Sequence, residues 1–234
     1  MWTREMIKSR AKEYLFNIYW QAFFVSLVIL IVGGGHNSGS SSGSSIRNSS
    51  VGFDFNFGTF LKISGIVLLL IIVRVVVGYL LEVGGRKFFI QASKGDVNMN
   101  YLKLGFDNDR YMNIIFTMFK KSISIFLWSL LLIIPGIIKS YEYRMIPYLL
   151  AENPNMNPDR AFELSKIMTE GEKFEIFVLD LSFIGWYLLG VLFFGIGGIF
   201  VNPYVDVTNA ELYDIFKRDL IEKNIIATSE LTLN

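Results

Sequence analysis

From Ile123 the chain is apolar, serines aside, to Ile134, breaks at Pro135-Gly136, and turns polar at Lys139-Ser140-Tyr141-Glu142. So long a run fits neither the single apolar stripe of a soluble helix nor the alternation of a half-buried strand. Pro135 removes a backbone donor and Gly136 loosens the chain, so a helix is expected to kink or reverse there. Ile18 to Gly34, Leu61 to Val83 and Phe174 to Val201 are further apolar stretches. Apolar residues gathered in this way mark a chain that lives in a bilayer. Composition agrees: 18% of residues are charged, against about a quarter in soluble domains.

The same inventory excludes several functions. A net charge of +1 leaves no basic stripe for nucleic acid. The absence of cysteine removes disulfides, thiolate metal sites and cysteine nucleophiles. His36, the single histidine, sits in a Gly/Ser-rich stretch and reads as a solvated loop residue. No cofactor is expected, and serines such as Ser129, Ser140 and Ser182 have no companion that would make a nucleophile. The basic start followed by an apolar run resembles a signal peptide. It lacks an A-x-A-like site, however, and reads as an uncleaved first membrane helix.

In chain order, 1–17 reads as an amphipathic helix on the inner leaflet, carrying Arg4, Lys8, Arg10 and Lys12. Residues 35–60 form a Ser/Gly-rich external loop, 84–110 a cytoplasmic loop, 152–173 a cytoplasmic amphipathic helix and 212–234 a cytoplasmic tail. Asn157-Pro158-Asp159 is a helix start.

Topology follows from counting lysine and arginine: four before the first span, one in 35–60, seven in 84–121, five in 139–173 and three in the tail. The early contrasts place the N-terminus inside and the serine loop outside. Four plain spans would put 139–173 outside despite its positive charge. A helical hairpin with its tip at Pro135-Gly136, and a second turning at Gly195-Ile196-Gly197-Gly198, would return every charged loop except the serine loop to the inside. The expected fold is an all-α, polytopic transmembrane bundle of about six membrane segments, some re-entrant or kinked. Both termini are cytoplasmic, in a cell membrane. Four plain spans stay open as the alternative.

Arg74 is the first candidate site residue, because a charge near the middle of a span is costly unless paired or hydrated. Asp180 is its natural partner and Glu82 the alternative. A structural ion pair that fixes helix packing is the plainer role; a substrate or ion site is the sharper one. The glycines Gly185, Gly190, Gly195, Gly197 and Gly198 are expected to allow close helix packing. The cations Arg86, Lys87, Lys94, Lys120 and Lys121 read as topology determinants or headgroup contacts.

Several motifs occur together. Leu127-Trp128-Ser129-Leu130 leads into Ile134-Pro135-Gly136-Ile137-Ile138-Lys139, with Tyr141 and Tyr143 following. Ala151-Glu152-Asn153-Pro154 precedes Ala161, Ser165, Met168 and Gly171. Leu181-Ser182-Phe183-Ile184-Gly185-Trp186 is followed by Gly195-Ile196-Gly197 and Pro203-Tyr204. This pattern resembles the bacterial integral membrane family known as domain of unknown function 975, common in Gram-positive bacteria, over nearly the whole chain. The resemblance implies a polytopic plasma-membrane protein and supplies no catalytic residues. The expected function is a non-enzymatic membrane component that binds a membrane protein partner or a second copy, or supports envelope maintenance, peptide tolerance or export. The alternative is a small transporter or channel-like protein using Arg74 and Asp180.

Overall fold

The computed structural model describes residues 2–33, 57–106, 111–192 and 197–231, and regular structure among them is entirely helical. The elements are α1 (Arg4–Gly33), α2 (Phe57–Ala92), a 3-10 helix (Met99–Phe106), α3 (Tyr111–Leu131), α4 (Ile133–Glu142), α5 (Ile146–Glu152), α6 (Pro158–Met168), α7 (Lys173–Leu192), α8 (Gly197–Glu222) and α9 (Thr228–Leu231). Most of the serine-rich loop and part of the 195–198 turn lie outside the described residues.

α1 buries Ile7, Ala11, Leu15, Ile18, Ala22, Val25 and Ile29, one stripe at three- and four-residue spacing. Its halves, Arg4–Phe16 and Ile18–Leu30, meet at 104°. α2 does not stop at Val83 but continues to Ala92, and the 3-10 helix folds back against it. Two glycines set that contact. A Cβ on Gly84 would lie 2.5 Å from the Leu102 carbonyl oxygen, and one on Gly105 would lie 2.6 Å from that of Leu80.

The break between α3 and α4 falls at Leu132, three residues before the expected Pro135-Gly136 tip. Leu132 is extended, at φ −157° and ψ 141°. Pro135 is the third residue of the new helix, where a missing N–H is harmless because first-turn donors have no partner within the helix. The helix therefore restarts just before its proline. Gly136 packs directly on Ser129, so closely that a Cβ would come within 2.7 Å of the Ser129 Cα. The chain thus reverses over a few residues, and α4 and α5 run back along α3.

α6 starts as its sequence indicates, with the Asn157 side chain accepting from the Asp159 N–H and Pro158 at the first helical position. α5 is buried along its whole length, and the middle of α8 is buried too: every residue from Val205 to Tyr213, including Asp206, Thr208, Asn209 and Glu211.

The polar segments gather at one end. Lys94 faces Glu152 at 3.8 Å, Lys120 pairs with Asp159, and Asn113 donates to the carbonyls of Pro154 and Met156. Arg160 binds Glu230 and the Ile225 carbonyl, and Trp2 donates to Glu172. The reversal at Leu132 carries the opposite character. Leu130, Leu131, Ile133 and Ile134 are between 72% and 76% exposed.

By length and composition, Tyr111–Leu131 is the one described helix able to cross a membrane. The count is two if the bent pair Arg4–Phe16 and Ile18–Leu30 acts as one span. At about 1.5 Å per residue, 21 residues rise roughly 31 Å, close to the hydrocarbon thickness. α4 and α5 are too short to span singly, having 10 and 7 residues.

Candidate functional site

Three linked charge clusters occupy the interior. In the first, Asp206 of α8 accepts from Arg86 Nη1 of α2 at 2.6 Å and from Ser26 Oγ of α1 at 2.5 Å. Glu82, one turn before Arg86, lies 4.0 Å from its Nη2 and 3.9 Å from Lys121 Nζ of α3. The Arg86 guanidinium also sits 5.1 Å from the centre of the Tyr148 ring, and Tyr148 stacks on Tyr213 at 5.2 Å. Among the described residues, Arg86 Nε and the Tyr148 hydroxyl are buried without a hydrogen-bond partner.

In the second cluster, Arg144 grips Asp180 with both terminal nitrogens, at 2.6 and 2.8 Å, and reaches Asn209 Oδ1 at 2.8 Å. Tyr141 donates to the same carboxylate at 3.0 Å. Such a two-pronged contact fixes orientation as well as charge. In the third, Glu152 accepts from Tyr213 at 2.8 Å and Lys217 at 2.5 Å. Tyr213 stacks on Tyr148, so the first and third clusters share one aromatic wall.

Residues 129–219 match the family model described as Protein of unknown function (DUF975). Over this segment the chain is similar to that family. The match begins inside α3 and ends inside α8, a shorter extent than the resemblance read from the sequence. No curated protein matches the chain, and no solved structure does. The DUF975 segment supplies Arg144, Tyr148, Glu152, Asp180, Asp206, Asn209 and Tyr213. Ser26, Glu82, Arg86 and Lys121 come from the chain before it, so the first cluster joins the family segment to the preceding helices.

Among the sequence candidates, Asp180 is held by Arg144 and Tyr141. Glu82 faces Arg86 and Lys121. Arg74 lies on an exposed stretch of α2 beside Ile72, Val73 and Val75. Pro135 and Gly136 shape the α3–α4 reversal. Among the described residues, nothing lies within 4 Å of where a Cβ on Gly185 would sit.

Arg86, Arg144 and Asp206 are central to the clusters; sequence reasoning passed over Arg144 and Asp206, and read Arg86 as a topology determinant or headgroup contact. Signals did exist. Glu82 and Arg86 stand at i, i+4, and Tyr141 and Arg144, like Asp206 and Asn209, at i, i+3. Among the described residues, no group of three or more His, Cys, Asp or Glu side chains is placed to hold a metal ion.

Proposed function

We propose that the chain is a multi-pass membrane protein with a non-enzymatic role, holding a membrane protein partner or a second copy against its apolar outer faces. One observation carries the reading: the polarity of the bundle is inverted. Ionised groups such as Arg86 and Asp206 are 8% and 2% exposed, while Leu131 and Ile133 are 73% and 76% exposed. Water rewards the opposite arrangement, and a bilayer rewards this one.

The gathering of 84–106, 152–173 and 217–231 at one end favours the hairpin topology over four plain spans. It puts all of these positive segments on one side, in agreement with the lysine and arginine distribution. α1, α2, α3, α4 with α5, α7 and α8 would then be the six membrane segments, with both termini cytoplasmic. The test is extraction of cell membranes with alkaline carbonate. The chain should stay in the pellet and leave it only with detergent. Recovery in the carbonate supernatant would sink the reading.

A second reading, a small transporter or channel-like protein, draws on the Arg86 Nε and Tyr148 hydroxyl, buried donors without partners in the charged interior. The Arg144–Asp180 pair beside Arg86 and Asp206 gives such a protein its polar path. Solute uptake by vesicles containing purified protein, compared with vesicles containing an Asp206→Asn variant, separates the two readings.

A further inference from the structure

At the α1 elbow a groove of about 560 Å³ opens between α1, α7 and α8. Phe16, Tyr19, Trp186, Phe200 and Tyr204 line its walls, and Lys12 stands at its edge. The volume falls within the roughly 300–1,000 Å³ of small-molecule sites. The lining is apolar except for this ammonium and the tyrosine hydroxyls, of which Tyr19 is committed to the Phe200 carbonyl.

The cation at the edge is not alone. Arg4, Lys8 and Lys12 follow one another at four-residue intervals, so they form a single row along α1. Arg4 has a loose carboxylate partner in Glu175, at 3.9 Å. Lys8 lies over the Phe183 ring and reaches the Ser182 carbonyl, and Lys12 lies over the Tyr204 ring. Among the described residues, neither lysine has a carboxylate within 4 Å. Lys8 and Lys12, one turn apart on the same helix, crowd two positive charges together. An anion placed between Lys8 and Lys12 would relieve that crowding.

We infer that this groove holds an anionic phospholipid, an acyl chain against Phe16, Phe200 and Trp186 and the phosphate at Lys8 and Lys12. The occupant must be apolar along most of its length and negative at one end, and an anionic lipid meets both demands at once. The site rests on the membrane reading proposed above. It also gives the two lysines a task beyond setting topology.

The experiment uses the full chain, purified from membranes in a zwitterionic detergent, with thermal unfolding as readout. Dioleoyl phosphatidylglycerol and dioleoyl phosphatidylcholine carry identical chains, so their difference isolates the headgroup. Near a hundredfold excess over Kd, phosphatidylglycerol should raise the Tm by about 5–10 °C, with a much smaller rise from phosphatidylcholine. The double variant Lys8→Gln/Lys12→Gln should lose the difference while keeping its Tm without lipid, and Lys12→Arg should keep the difference. Val201→Trp, which fills the groove, should lose the response to both lipids.

Equal stabilisation by the two lipids, or a preference that survives the double substitution, overturns the site. So does a shift reproduced by glycerol phosphate alone, which would mark an aqueous phosphate site. Failure of the membrane reading is seen separately, as release of the chain by carbonate before any lipid is added.

Discussion

Asp206 receives a guanidinium from α2 and a hydroxyl from α1, so its removal strands a buried Arg86. Breaking one side of a buried pair costs about 3–5 kcal/mol, which for a chain of this size lowers the Tm by roughly 6–20 °C. Asp206→Ala should show that loss by thermal unfolding in detergent. Replacing both partners, as in Arg86→Met/Asp206→Leu, should recover most of it, because no charge is then left unpaired. A double variant that unfolds as early as the single one would mean that Asp206 acts through something other than Arg86. If the recovered variant has also lost solute uptake, the charges serve transport rather than packing.

Among the elements, the α2 contact with the 3-10 helix and the α3–α4 reversal depend on close backbone approach. Gly84→Ala, Gly105→Ala and Gly136→Ala should each lower the Tm, since the added methyl meets main chain at 2.5–2.7 Å. Gly65→Ala and Gly185→Ala enter open space. With Ala favoured over Gly inside a helix by about 0.5–1 kcal/mol, these two should be neutral or slightly stabilising. Unfolding curves of the five variants would divide them, and a destabilised Gly185→Ala would contradict the open space.

Helical elements were legible in the sequence because their determinants are local: apolar runs, the Asn157-Pro158 start, the disturbance at Pro135. The break moved to Leu132 because a proline is tolerated in a first turn, and only the completed reversal reveals which residue absorbs the bend. The charge clusters were much less legible. Arg86 and Asp206 are 120 residues apart and Ser26 and Asp206 are 180 apart, and no spacing rule connects positions at that separation. Asp180 stood out as an acid well inside an apolar stretch. Its partner Arg144 did not, because it lies where basic residues are expected anyway.

For the molecule as a whole, the proposed topology predicts one sidedness for all the polar segments. The chain has no cysteine of its own, so single cysteines at the exposed positions Asp96, Glu170 and Glu222 report cleanly. All three should resist an impermeant maleimide in intact cells and react after lysis. Labelling at Glu170 alone in intact cells would restore four plain spans and separate α6 from the segments it touches.

The buried stretch of α8 also bears on how such a protein is made. Asp206, Asn209 and Glu211 lie within a few residues of one another, and a carboxylate opposes insertion, by up to about 2.5–3.5 kcal/mol at the centre of a span. In a membrane, α8 would therefore enter poorly as an isolated segment leaving the ribosome. Its way in would be prepared by Ser26 and Arg86, synthesised more than a hundred residues earlier, which would serve as docking points for its acid. Assembly would then run from the N-terminal helices toward the last one. A nascent chain halted before residue 197 would leave Arg86 facing Glu82 at 4.0 Å and without its closer acid, Asp206.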